Sequence, residues 1–554
     1  MCVHDEQMVI TDVRFLPIIS AYAKRIGLVE RIDTLLDCET EVSPGRMVLA
    51  MILDALSGRS PLFRLQEFYE DKDIELLLGE PIPLSKLNDD TLGRVLERLW
   101  KVGTNKVLGT VMLGVMESFE LETSHVHHDT TSCELFGDYL LYDSEGHDQP
   151  FVITNGFSKG HRPDLKQLVL SLLCVDHGIP IGMLVSDGNE SDKNINRNLI
   201  PEMVERMRNL GQELFVYVAD SALITEANLA LIDDWENGFL FVSRLPMTYT
   251  ECREAIRRAV ETDEWEAIGA VAQTPGKGAH YRAHETAVTL YGVNYRAVVV
   301  HSDAHDKRRR KKLDKQLEQD RKELARITKE VEKIEFACEP DAIDAANRIP
   351  ALAFYKLTAS VEPKPRYKRG RPKADGTRTV KEITYCLKVS AEVDEKAVDK
   401  AREEAGCFVL ITNTLAEGSE SISARELLAT YKDQHVVERN FGFLKDPVFV
   451  NALFLKSPKR IEALGLVLVL ALMIWRLMER TMRMNLEQSE STVTGWDKRQ
   501  TSRPTAFMMT TKFKGIFVIS SSGRRSLAKP LNRVQLAYLA VLEMDPEDFM
   551  KPHT

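Results

Sequence analysis

The chain has 554 residues, 44% hydrophobic and 28% charged, which excludes a disordered, collagen-like or low-complexity protein and is too long for one ordinary core. Lys and Arg number 73 against 83 Asp and Glu, a net charge of −10, so any nucleic-acid contact has to rest on local basic patches. The eight cysteines are scattered without C-x-x-C pairs or zinc spacing, as in a reducing compartment. The start, MCVHDEQMVITD, is unlike a signal peptide, and the longest apolar run, Ala463 to Trp475, is too short to span a bilayer. These features predict a cytoplasmic protein with no membrane partner.

Residues 1–118 are patterned as helices. Ser43-Pro44 opens one with Val48, Leu49, Ile52, Leu53 and Leu56 on helical spacing, and Asn88-Asp89-Asp90 opens another with Leu92, Val95, Leu96 and Leu99. Such a domain suits DNA binding and helical packing equally. From 119 to 245 the texture changes to short runs such as SHVHHDTTS, QLVLSLLCV, IPIGMLVS, LFVYVAD and FLFVSRL, separated by turns and helices. Buried strands alternating with helices predict an α/β fold, a mixed sheet flanked by helices.

Residues 246–404 differ again, with polar strand-like pieces and a charged helix in which Leu313, Leu317, Leu324, Ile327, Val331 and Ile334 form a heptad seam broken at Asp320. This is read as an inserted α+β domain. From 405 to 480 the α/β pattern resumes with the strand CFVLITN and a long helix from about Ala424 to Lys445, opened by a Ser423/Glu426 capping box. The last stretch, 481–554, is polar with short pieces and shows no nameable chemistry.

Three acids stand out by position: Asp129 at the end of SHVHHDTTS, Asp220 closing LFVYVAD, and Glu438 on the long helix. Side chains at strand ends converge on the crevice of an α/β sheet, although such an Asp also caps a following helix. Tyr431, Gln434, Glu438 and Lys445 fall within roughly 60° of arc on one helix face, a metal ligand beside phosphate contacts or simply a solvated face. Three carboxylates from two strands and a helix suit two Mg²⁺ ions about 4 Å apart, with Mn²⁺ a substitute, for in-line phosphoryl transfer. His125 and His127 point opposite to His128 along their strand, so a shared zinc site is not expected.

In these residues the chain resembles the DDE transposases of bacterial insertion sequences. It is most similar to the branch whose RNase H-like domain is interrupted before the final Glu and which carries a Y-x2-R-x3-E-x6-K signature. The run YKDQHVVERNFGFLK places Tyr431, Glu438 and Lys445 at that spacing, with Gln434 where the branch has arginine. HHDTTS resembles the first acidic motif and VYVADSALIT the second, while the segment around Arg162, Pro163 and Asp164 looks like the linker of one subgroup. The resemblance implies an RNase H-like catalytic domain over 119–245 and 405–480, with Asp129, Asp220 and Glu438 as catalytic metal ligands. It also implies phosphate contacts from Tyr431, Gln434 and Lys445. The implied activity is cleavage at an element's inverted ends and joining of the 3′-hydroxyls to target DNA, by a homodimer in a synaptic complex.

Two basic runs interrupt the acidic whole: Lys307–Lys312, and KPRYKRGRPK at 364–373. The second, with Lys368, Arg369, Arg371 and Lys373, resembles an AT-hook, whose arginines enter a narrow minor groove. An RNase H-like nuclease without strand transfer and a non-catalytic DNA-binding scaffold remain open beside the transposase reading.

Overall fold

The computed structural model describes residues 8–553 apart from 38–39, 58–63, 136–149, 158–161, 235–238, 272–278, 370–375, 377, 415–420, 446–454 and 456. Two compact units emerge, Met1–Ser243 with Thr430–Thr554, and Arg244–Ala429.

The first unit opens with strand β1 (Val9–Asp12) and then helices that include Leu16–Arg25, Pro44–Ser57, Asp89–Val102 and Thr104–Ser118. Asn88 caps Asp89–Val102 by accepting the Thr91 N–H at 2.9 Å, and Leu92, Val95, Leu96 and Leu99 form its buried face. The sheet follows: β2 (His125–Leu135), β3 (Lys166–Val175), β4 (Ile179–Ser186), β5 (Val216–Ala219) and β6 (Leu240–Leu245). Within this unit they lie side by side in the order β4-β3-β2-β5-β6. β2, β3 and β4 pair antiparallel, whereas β2, β5 and β6 run parallel. β3 is buried along nearly its whole length, as a strand covered on both faces must be. The expected mixed sheet flanked by helices is therefore present. β2 runs six residues past Asp129, so Asp129 lies within the strand and not at its end. The Thr-Thr-Ser-Cys run that follows suits a strand, and it keeps pairing with β3.

The apolar run at 463–475 is the middle of a 31-residue helix, Pro458–Gln488. By length and composition alone this helix could cross a membrane, contrary to the expectation of a run too short to span; most of its apolar stretch is buried inside the unit. It packs against Pro44–Ser57, Asp89–Val102 and β4, so its apolarity is that of a core helix. The N-terminus is tied to the C-terminal region by β1, which pairs antiparallel with Phe517–Ser521.

The second unit contains β7 (Glu266–Ala270), β8 (His280–Leu290), β9 (Val293–Ser302), β10 (Glu335–Phe336), β11 (Tyr355–Tyr367), β12 (Val380–Val393) and β13 (Cys407–Thr412). β13-β9-β8-β7 is an antiparallel run of strands, and β10-β12-β11 forms a separate small sheet. The unit Arg244–Ala429 takes in the residues expected as an insertion, 246–404, together with β13, which pairs with β9 over its full length. The charged helix spans Asp303–Val331 and ends before Ile334, which is exposed. Its seam is covered within the unit: Leu313 packs with Phe354 and Val398.

Candidate active site

β2 and β5 are parallel neighbours with His125 opposite Val216, Val126 opposite Tyr217 and His127 opposite Val218. Continued by two residues that register would set Asp129 against Asp220, but the pairing itself ends at His127 and Val218. β5 stops at Ala219, and Asp220 leaves the sheet as the cap of a short turn, its carboxylate accepting the Ala222 N–H at 3.0 Å. The Asp220 carbonyl is held by the Ser243 hydroxyl at 2.8 Å, while Asp129 Oδ1 accepts the Thr130 N–H at 2.8 Å.

The opposite face of the two strands is locked by buried polar groups. Tyr217 donates its hydroxyl proton to Asn196 Oδ1 at 2.9 Å, so at 2.8 Å from His128 Nδ1 it must accept. That fixes the proton of His128 on Nδ1. Thr130 donates to Asp192 Oδ1 at 2.6 Å on the same face. Burial and the charge of Asp220 push the Tyr217 phenol well up, so it stays protonated in this role. His127 is held neutral, pushed down to about 4 by burial, with His125 and His435 acting in the same direction.

Glu438 sits on a separate helix. The single helix expected over 424–445 is two, Ala424–Asp433 and His435–Leu444, joined at Gln434, whose N–H bonds the Tyr431 carbonyl at 3.3 Å. The break has a cause in Gln434 itself: it is buried, and its amide donates to the His128 carbonyl on β2 at 3.3 Å. Gln434 thus anchors the junction to the sheet in place of standing on the outer face with Glu438. Val437, Asn440, Phe441 and Leu444 form the packed side of His435–Leu444, and Glu438 is exposed. Asn440 donates to the Gly178 carbonyl at 2.8 Å and to Cys174 Sγ at 3.3 Å, and it accepts from Arg476 Nε at 2.7 Å. Tyr431 and Lys445 are half-buried. Lys445 is close enough to lower the Cys133 thiol, which burial pushes up to about 11.

Asp129 thus lies on β2 and Asp220 one residue past the end of the neighbouring β5, with the Glu438 helix packed against β2. Among the described residues no group of three or more His, Cys, Asp or Glu stands close enough to hold a metal ion. Asp129 and Asp220 are hard oxygen donors of the kind Mg²⁺ takes, and the third expected ligand is not gathered with them. Of the other expected DNA contacts, Lys368 and Arg369 are exposed past the end of β11, while Arg371 and Lys373 lie outside the described residues. So do the side chains of the Lys307–Lys312 run, except that of Lys311.

One structural element beside the site escaped the sequence reading. Arg476, Glu479, Arg480 and Arg483 lie within the apolar helix, Arg476 and Arg483 both pairing with Glu479 at 2.5 and 2.8 Å and Arg480 with Asp176 at 2.7 Å. Their spacing of three, four and seven in an otherwise apolar run was the available signal of a buried ionic row.

Residues 8–113 match a family described as a domain of unknown function, DUF4277. No curated protein matches the chain. Among solved structures, the cryo-EM structure of the piggyBac transposase synaptic complex with hairpin DNA is similar at a TM-score of 0.37 and 7% identity, covering 92% of this chain and 82% of that one.

Proposed function

We propose that the chain is a metal-dependent DNA transposase. One observation carries the reading: β2, which holds Asp129, and β5, which ends one residue before Asp220, are parallel neighbours in a sheet ordered β4-β3-β2-β5-β6, with the Glu438 helix packed on β2. Three antiparallel strands followed by two parallel ones support an RNase H-like catalytic domain. Asp129 and Asp220 would hold the Mg²⁺ ions, Mn²⁺ substituting, and Glu438, which is not gathered with them here, would serve as third ligand only by moving in from its helix. When bound, the ions supply Lewis-acid stabilisation of a phosphodiester, whose own charge repels nucleophiles. The chain's residues do the rest: Lys445 and Tyr431 bind phosphate beside the scissile bond, and the His128–Tyr217–Asn196 bonds keep the two strands from sliding. The DNA partners are the element's inverted repeats and a target duplex, engaged by a homodimer in the bacterial cytosol.

The test mixes purified protein with labelled DNA carrying the repeats that flank its gene, in Mg²⁺ or EDTA. Nicking at the repeat tip and joining to a second duplex, only with Mg²⁺, is the expected result. Asp129→Asn and Glu438→Gln should each lower cleavage by at least ~10²-fold, by analogy with removal of a charge-stabilising group, and leave end binding intact. Cutting without joining would replace the transposase with a nuclease, and binding without cutting would leave a scaffold.

A further inference from the structure

The C-terminal region carries a concentration of charge at odds with the chain. Residues 491–541 hold nine Lys and Arg and a single acid, Asp497, in a protein of net charge −10. Arg525 is paired, with Asp73 at 2.6 Å and Glu75 at 2.7 Å. Lys498, Arg499, Arg503 and Lys514 are exposed and, among the described residues, make no salt bridge.

Two large rings lie in the same stretch of chain as these cations. Trp496 is 47% exposed and Phe507 60% exposed, with centroids 6.0 Å apart, whereas Phe513, Tyr538 and Phe549 nearby are fully buried. The exposure is built into the backbone. The Gly495 N–H bonds the Arg499 carbonyl at 2.7 Å, and the Arg499 N–H bonds the Trp496 carbonyl at 2.9 Å, closing a tight turn. Asp497 and Lys498 inside it adopt left-handed φ of 51° and 60°, a conformation that costs energy for residues other than glycine. Lys512 donates to the Gly495 carbonyl at 2.8 Å from beneath and lies 5.9 Å from the Trp496 ring. Phe507 is set outward at the start of Ala506–Lys512, a helix capped by Thr505 and seated on Met508 and Met509.

This surface is also braced to the candidate active site. Arg483 donates to the carbonyl of Pro504, next to Arg503, at 3.1 Å, and shares Glu479 with Arg476, which holds Asn440 on the Glu438 helix. Exposed rings are costly in water and unpaired like charges repel; a polyanion with accessible π faces relieves both.

We infer that Trp496 and Phe507, flanked by Lys498, Arg499, Arg503 and Lys514, bind a DNA strand with an unpaired base, at a place distinct from Asp129 and Asp220. Phosphates meet the cations and the base stacks on the exposed rings. This binding does not depend on whether the carboxylates cut.

The test is fluorescence anisotropy with the full chain, using a labelled duplex and the same duplex with a single-stranded tail, over a salt series. Thermal melting checks that each variant is folded. Trp496→Ala with Phe507→Ala should weaken the tailed probe roughly 5- to 150-fold, and the blunt duplex less. Lys498→Gln with Arg499→Gln, a change that leaves the rings in place, should weaken both probes and reduce the slope of log affinity against log salt by about 2. Both effects should persist in an Asp129→Asn background, which separates this surface from the cleavage reading. Unchanged affinity and slope in both double variants would overturn the inference. A change in oligomeric state with DNA affinity unchanged would overturn it too, assigning the face to a second copy of the chain.

Discussion

Arg476 decides where the Glu438 helix sits. Its Nε reaches Asn440 at 2.7 Å and its Nη1 reaches Glu479 at 2.5 Å, all three side chains buried. Removing one partner of a buried charged set leaves the others unsatisfied, which costs about 3 kcal/mol or more. Arg476→Ala should therefore lower the urea midpoint by that equivalent at unchanged m-value; an unmoved midpoint would show that Arg483 alone satisfies Glu479. Glu543 gives a pH-dependent counterpart. Hydrogen bonds from Asn485 and Arg25, the latter at 2.7 Å, hold its carboxyl below the usual range. Its folded pKa is depressed, so its stabilisation is present above the ordinary carboxylate pKa and lost as pH falls through the folded value. Glu543→Gln should flatten the acid limb of the stability curve and leave alkaline behaviour unchanged. Asp220 was conspicuous in the sequence because it closes a short apolar strand, whereas the strand of Asp129 runs on through Thr-Thr-Ser-Cys and hid its end. Gln434 was misplaced because a helical wheel gives relative angles but not which side is packed, and it assumes the helix is unbroken.

The elements around the site show where pattern suffices and where it does not. The capped helix Asp89–Val102 and the buried strand β3 were legible because their burial follows a local period. The length of the apolar core helix was not, because its charged turns face partners distant in sequence, Asp176 and Asn440. Gly178 marks a close approach between its turn and the Glu438 helix. It has φ +85°, and a Cβ there would lie 2.3 Å from Val436 Cγ1. Its carbonyl also accepts from Asn440. Gly178→Ala should cost about 2 kcal/mol from the left-handed backbone and the displaced contact together. The specific expectation is faster amide exchange across His435–Leu444 than across Asp89–Val102. Equal protection in both helices would mean that the turn, and not the helix, absorbs the added methyl.

For the whole molecule, the unit Arg244–Ala429 is one continuous stretch of chain, although in sequence it interrupts the other. It has buried apolar residues of its own. Val298, Val299, Val300, Val409, Leu410 and Ile411 are fully buried on paired strands, and Leu313, Phe354 and Val398 form an apolar cluster beneath the charged helix. The sequence showed that a different texture began near 246, but its far edge was hidden, because β13 is as apolar as a strand of the first unit and its pairing with β9 cannot be read from its own residues. Charge is divided as unevenly as the core, with the acidic excess interrupted by the basic 491–541 stretch. A chain of 244–429 expressed alone should then melt in one cooperative transition, with coincident far-ultraviolet and tyrosine signals. A broad melt with separate midpoints would mean that β13 and β9 need support from outside those residues. In that event the insertion boundary belongs nearer 404, as the sequence texture alone would put it.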